Sequence, residues 1–364
     1  MHLLIRFKGL VAFLLGLFLL VGCGQIPEES VLLFPVREVG DNSTTRSLAP
    51  KQVFPDSVPL SGFRIVGDCL VSSAGFMSDH FIDIYDLSTG ELKESFCRKG
   101  RGPGEFLAIS PLFSSDGDVL SLYDAGTGLY TQMKLNLLEI DSAEIVNQVK
   151  IIVPDGKNAP VIMSTYRMND REMLAYNSIQ GELGYVNIES PYYAIYDVIT
   201  GRELQTYNIF DANLIKKRSG EYEQMVSLAL DDCLDDRKER LCFVMNQMPI
   251  VAIVDLASGK TQGIRLKGAV PYSADNPVFH FRSVCADESH IYALYYGKRP
   301  EEVLPESTDT LMYVFDWNGN FVEKISLNGL FLSCRNSQDK IYLARLGLDQ
   351  QTYLYELSKK DVFD

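Results

Sequence analysis

Ile82-Asp83-Ile84-Tyr85-Asp86-Leu87-Ser88-Thr89-Gly90 is an alternating apolar run that closes on an aspartate and, four residues later, a glycine. The same unit returns as Ala194-Ile195-Tyr196-Asp197-Val198-Ile199-Thr200-Gly201 and as Val251-Ala252-Ile253-Val254-Asp255-Leu256-Ala257-Ser258-Gly259. Tyr313-Val314-Phe315-Asp316-Trp317-Asn318-Gly319 is a shorter copy, Leu120 to Asp124 with Gly128 a similar one, and Tyr353 to Leu357 a decayed last one. Alternation marks a strand with one face inward. The aspartate ends it by accepting bonds from nearby backbone amides, and the glycine takes the positive φ of the turn. A second strand-like run follows, as in Glu91 to Phe96 and Thr261 to Leu266, so the unit is a hairpin.

The markers fall at 86, 124, 197, 255, 316 and 356. Their uneven spacing argues against a tight array of period ~40–45 and suits a four-stranded blade with loops of variable length. The expectation is an all-β, six-bladed β-propeller, which protects its sheet edges by radial repetition. Asp124 is expected to mark an inner hairpin of its blade. Seven blades stay open, because the long step from 124 to 197 has room for a degenerate unit. The last repeat shows three strands, so a strand within Val31–Val58 is expected to complete it and close the ring.

The ends of the chain set its context. Arg6 and Lys8 precede an uninterrupted apolar run from Gly9 to Gly22, shorter than the ~20 residues of a spanning helix. Basic head, short apolar run and small residue at the end are the parts of a secretory signal. Leu20-Val21-Gly22-Cys23 resembles a bacterial lipobox, with Cys23 as the lipidated mature N-terminus. The expected division is 1–22 signal peptide, 23–60 lipidated N-terminus and tether, and 61–364 propeller. Five prolines in 24–60, with Asp41-Asn42-Ser43-Thr44-Thr45, read as spacer. Gly24 leans towards the outer membrane, and Glu28 and Glu29 leave its face, periplasmic or cell-surface, open. A formal charge of −14 over 364 residues lacks the basic footprint that nucleic acid requires.

No motif for catalysis, metal or cofactor stands out. Cys69, Cys97, Cys233, Cys242, Cys285 and Cys334 form no Cys-x-x-Cys pair, and an exported context permits disulfides among them. Cys233 and Cys242 are placed to face each other across a hairpin. His80, His280 and His290 fit no zincin spacing, and there is no Gly-x-Ser-x-Gly elbow. Asp231-Asp232-Cys233-Leu234-Asp235-Asp236, followed by Arg237-Lys238-Glu239-Arg240, reads as an exposed, charge-mixed hairpin tip. Lys216-Lys217-Arg218 is the only basic run.

Lipobox, irregular six-fold blades and Gly100-Arg101-Gly102-Pro103-Gly104-Glu105-Phe106 together resemble the TolB-like six-bladed propeller lipoproteins of Bacteroides-type bacteria. That resemblance implies a propeller on an outer-membrane lipid anchor and brings no reaction with it. The glycine-rich run lacks the Lys-Ser/Thr ending of a phosphate loop and reads first as a crossover between blades 1 and 2. In its functional version Arg101 and Glu105 project from the propeller face towards a ligand or partner carboxylate. The resemblance also implies O-glycosylation at Asp56-Ser57-Val58, Asp141-Ser142-Ala143 and Asp309-Thr310-Leu311.

Two functions follow. One is a non-catalytic binding or scaffold module for an envelope protein or glycan, with no cofactor. The other is a lactonase-like, metal-dependent propeller hydrolase whose ligands converge on the central channel from different blades. The channel lining discriminates: converging Asp, Glu and Asn favour the enzyme, and apolar or unpaired basic residues oppose it.

Overall fold

A computed structural model describes residues 31–364 apart from 42–43, 76–77, 111, 138–142, 153–160, 179–191, 212–228, 272 and 274–275. The signal run, Cys23, Glu28, Glu29, Lys216-Lys217-Arg218 and the Asp141-Ser142 pair lie outside the described residues.

Three short strands come first: β1 (Val36–Val39), β2 (Arg46–Leu48) and β3 (Lys51–Gln52). Blade 1 is β4 (Phe63–Val66), β5 (Cys69–Ser73), β6 (His80–Asp86) and β7 (Leu92–Arg98). Blade 2 is β8 (Ser114–Asp116), β9 (Val119–Asp124), β10 (Leu129–Leu135) and β11 (Ala143–Lys150). Blade 3 is β12 (Val161–Arg167), β13 (Glu172–Ser178), β14 (Tyr192–Asp197) and β15 (Glu203–Asn208). Blade 4 is β16 (Ala229–Leu234), β17 (Arg240–Met245), β18 (Ile250–Asp255) and β19 (Thr261–Leu266). Blade 5 is β20 (Phe279–Ala286), β21 (His290–Lys298), β22 (Thr310–Asp316) and β23 (Phe321–Leu327). Blade 6 is β24 (Phe331–Ser337), β25 (Lys340–Leu346) and β26 (Thr352–Ser358), with β3 as its fourth strand.

The protein is thus a six-bladed β-propeller of four-stranded antiparallel blades, as the hairpin unit predicts. The turn chemistry is the one read from the sequence. Asp86 Oδ1 accepts from the Ser88 and Thr89 amides at 2.9 and 3.0 Å, and Asp197 Oδ1 from those of Ile199 and Thr200 at 2.8 Å. Gly90 and Gly201 then take φ of 77° and 71°. Asp124 marks not the outer hairpin of its blade but the middle one, between β9 and β10. The long step after it reflects that one-strand offset rather than a seventh blade.

The middle strands depart from simple alternation. Leu241, Phe243 and Met245 of β17 pack into the cluster shared with blade 3, while Cys242 and Val244 pack towards blade 5. Each blade is therefore covered on both faces, and six apolar clusters fill the six blade–blade interfaces. The cluster joining Phe63, Leu70 and Tyr85 to Tyr342, Ala344 and Leu354 closes the ring between blades 1 and 6. Each fully buried Leu or Phe there contributes about 2–3 kcal/mol.

Ring closure comes from the segment predicted to supply it. Gln52 pairs with Tyr355 and Lys51 with Glu356, antiparallel. The preceding residues, read from their prolines as spacer, follow the outer edges of the blades from Val31 onward. The Leu33 amide donates to the Ile209 carbonyl at 3.1 Å, next to blade 3. β1 then adds in parallel to β19, and β2 in parallel to β23. Asp41 accepts from Lys324 Nζ at 2.7 Å and from the Tyr313 hydroxyl at 3.0 Å, fixing the strap between them. A proline-rich segment can run as an edge strand, since an edge leaves half of its amides unpaired in any case. That is why its composition resembles a tether.

Gly201 offers a direct test of this packing. A Cβ there would stand 2.0 Å from the Lys150 carbonyl oxygen of blade 2. At Gly259, with nearly the same φ of 70°, the nearest atom is 3.8 Å away. We expect Gly259→Ala to cost about 1 kcal/mol from positive φ alone and Gly201→Ala clearly more, read as urea unfolding midpoints. Equal losses would mean that the turn does not press on blade 2.

Candidate functional site: the central channel

The six inner strands are β4, β8, β12, β16, β20 and β24, and their side chains meet at the axis. A bulge in β16 lies between Ala229 and Asp231. Neighbouring strand residues point to opposite sides, so Asp231 and Asp232 serve different blades. Both are buried, at 8% and 6% exposure, and Asp235 is at 2%. The stretch expected to be an exposed hairpin tip is therefore corrected in its first half: Asp231–Leu234 is the innermost strand of blade 4. Only the turn after it, with exposed Arg237, is a charged tip.

Asp231 faces blades 5 and 6. Its Oδ2 accepts from Arg335 Nη1 at 2.9 Å, from the Val284 amide at 3.2 Å and from the Ser283 hydroxyl. Burial alone would pull the Arg335 guanidinium down, but Asp231 more than offsets that, and it stays above its usual range. Asp232 faces blade 3, where three hydroxyls donate to it: Ser164 at 2.7 Å, Tyr166 at 2.7 Å and Tyr193 at 2.9 Å. Burial pushes the Asp232 carboxyl up, and these hydroxyl bonds counter it only in part. Asp116, at the end of β8, accepts from Arg167 Nη1 at 2.6 Å and pairs with Lys238 Nζ at 2.9 Å.

At the end of the channel where the inner strands finish, a cavity of about 260 Å³ opens. Arg64, Tyr166, Asp232, Lys238, Arg335 and Asn336 contribute to its wall. Its lining meets the discriminating criterion on both sides, because acids and cations converge together. Asp231 has Arg335, Asp116 has Arg167 and Lys238, and Asp232 has three hydroxyls. Arg64 makes no ion pair with any described carboxylate; its Nη1 donates to the Phe63 carbonyl at 2.7 Å. Burial first, and the Arg335 charge second, pull its guanidinium down to about 10. Among the described residues no three His, Cys, Asp or Glu are grouped to hold a metal ion.

Gly100–Phe106 lies elsewhere. It leads from β7 to β8, at the end where inner strands begin, and none of it lines the cavity. Glu105 Oε2 accepts from the Gly102 amide at 2.7 Å, and a Cβ on Gly100 would stand 1.9 Å from that oxygen. The Phe106 amide donates to the Arg98 carbonyl at 2.9 Å. Glu105 is thus bound to its own loop, while Arg101 is exposed.

Other candidates sort simply. Cys233 sits opposite Cys242 in the β16–β17 hairpin, and all six described cysteines are thiols. Burial pushes Cys97 up to about 12 and Cys233 and Cys285 well above the ordinary thiol range, so they stay protonated. Ser57 is exposed, but Thr310 is fully buried and donates to the Gly329 carbonyl at 2.9 Å, which removes the Asp309-Thr310 site as a glycan acceptor.

No family model matches the sequence, and no curated protein matches it. The fold has a solved counterpart. A protein from Bacteroides fragilis named as exported superimposes with a TM-score of 0.51 at 11% identity, over 89% of this chain and 99% of that one. BamB from Moraxella catarrhalis is more distant, with a TM-score of 0.37 at 10% identity over 84% and 83% of the two chains. At 11% identity the first of these likenesses shows the fold alone. Among the described residues no helix is long and apolar enough to cross a membrane.

Arg64, Tyr166 and Arg335 do not stand out in the sequence, where Asp231 and Asp232 read as part of a charged tip. One signal pointed towards them: an acidic pair inside a strand-like run, which an inner strand of a propeller tolerates and a two-sided core strand does not.

Proposed function

We propose that this chain is an outer-membrane lipoprotein of the TolB-like propeller kind, anchored through Cys23, that binds an envelope protein or glycan without catalysing a reaction. The observation that carries this reading is the state of the channel acids. Asp116, Asp231 and Asp232 are each held by cations or hydroxyls of neighbouring blades, an arrangement that locks blades together. The hydrolase alternative needs carboxylates free to share a cation. The lipobox supports the anchor, and Val31, the first described residue of the strap, lies eight positions after Cys23. The exported naming of the B. fragilis counterpart agrees with an envelope location.

Exposed Arg101 is the partner contact in this reading, with Glu105 shaping the loop that presents it. Arg101→Ala is expected to leave the melting profile unchanged and to abolish partner recovery; a loss of folding would make the loop purely structural. Catalysis is tested by supplying calcium, zinc or magnesium with lactone and ester substrates. The expected result is no turnover that depends on Asp232. Turnover that Asp232→Asn removes from a folded protein would establish the enzyme instead. A mature mass starting at lipid-modified Cys23 is expected, and an unmodified N-terminus elsewhere would remove the anchor.

A further inference from the structure

We infer that the cavity at the finishing end of the channel is a site for a small anion, a carboxylate or phosphate group held between the guanidinium groups of Arg64 and Arg335. This rests on the reading of the propeller as a binding module and names a ligand class for its channel. The protein partner proposed at Arg101 is separate, since that loop lies at the opposite end.

Three observations converge. Arg64 and Arg335 sit on adjacent inner strands, β4 and β24, on either side of the point where the ring closes. Both line the same cavity. Each guanidinium also lies near an aromatic ring at 5.8 Å, Arg64 by Phe113 and Arg335 by Phe63. Those apolar neighbours reduce screening between the two cations.

Next, the donors are not used up. Arg64 has five N–H groups, and one described bond, to the Phe63 carbonyl, engages Nη1. Arg335 gives Nη1 and Nη2 to Asp231, but its Nε–H is buried and has no acceptor among the described residues. The side chain as a whole is 7% exposed. A buried donor without an acceptor is costly to leave so, and a planar fork matches a carboxylate or phosphate edge.

Third, the nearby acids are engaged elsewhere: Asp116 pairs with Arg167 and Lys238 and Asp235 with Arg240, while burial pushes the Asp236 carboxyl up. Asp231 is committed to Arg335, and Asp232 already accepts three hydroxyls. Two like charges so placed repel, and the Arg64 guanidinium is lowered first by burial and then by this repulsion. An anion between them reverses the sign of the interaction. The volume, about 260 Å³, exceeds the ~30 Å³ share of one water several-fold, room for a phosphate or a short carboxylate and not for a polymer.

The test uses the full chain in detergent, titrated with sodium phosphate or sodium succinate against sodium chloride at matched ionic strength. Melting temperature and isothermal titration are read together. The expected result is saturable binding of one or both probes; phosphate alone assigns a phosphate group, and succinate alone a carboxylate. Arg64→Met should weaken that binding at least tenfold and Arg64→Lys less. In anion-free buffer Arg64→Met should melt at or above the parent, because a repulsion has been removed. Absence of saturation with both probes, or equal affinity in Arg64→Met, overturns the site. So does an equal loss of stability by Arg64→Met in every buffer, which makes Arg64 structural. Failure of the binding-module reading would look different: no partner is crosslinked while the anion titration still saturates.

Discussion

Arg335→Met is expected to lower the unfolding free energy by about 3–5 kcal/mol, because it strands Asp231 as an unpaired buried charge. The carboxylate would keep Ser283 and the Val284 amide but lose Arg335, its one ion-pair partner among the described residues. The lesion spans three blades, since Asp231 is on β16, Ser283 on β20 and Arg335 on β24. A second substitution separates charge stranding from lost packing. Adding Asp231→Leu to Arg335→Met removes both charges, and such replacements are often neutral or stabilising. The double variant should therefore recover most of the loss in urea unfolding. A single-variant cost below about 1 kcal/mol, or a double variant as weak as the single, would contradict a buried pair at the axis.

The second large effect is pH-dependent and belongs to His280. Its side chain is fully buried on β20, with Nδ1 3.2 Å from the Tyr295 hydroxyl and the two rings 5.7 Å apart. Burial pulls the imidazole down to about 4. The sign follows from linkage. An unfolded chain protonates this residue near pH 6.5 and the folded one near 4. Between those values the unfolded state binds more protons. The contribution is fully present above pH 6.5 and is lost as pH falls towards 4, by about 3 kcal/mol. Tyr295, pushed up to about 12 mainly by burial, stays neutral throughout. His280→Phe should flatten the stability profile over that window. Parallel profiles would mean that His280 is not buried as described.

Much of the architecture was legible because the hairpin unit carries its own chemistry. The aspartate and glycine of Asp86–Gly90 dictate one turn, and that turn recurs. Six blades followed from counting those turns, and ring closure from a missing fourth strand. Two things were hidden for physical reasons. The Val31–Leu48 strap has edge-strand composition, which a spacer shares, and its partners lie some 170 to 290 positions away in sequence. The channel site was hidden because its residues are spread over six inner strands far apart in sequence, so no local spacing records it. Asp231-Asp232 reads as a solvated tip, yet strand alternation in β16 aims one at Arg335 and the other at Tyr166 and Tyr193. Arg335 follows an apolar run and gave no sign of its partner. The crossover reading of Gly100–Phe106 was legible, since three glycines and a proline suit the close seat of Glu105.

The central claim is that this propeller binds a partner in the envelope. Its most direct test is mild crosslinking of the native, full-length protein in intact membranes, followed by mass spectrometry, with Arg101→Ala in parallel. The account predicts one stoichiometric partner, crosslinked to the propeller near Gly100–Phe106 and absent from the Arg101→Ala sample. Recovery of the lone chain at every crosslinker dose would contradict it.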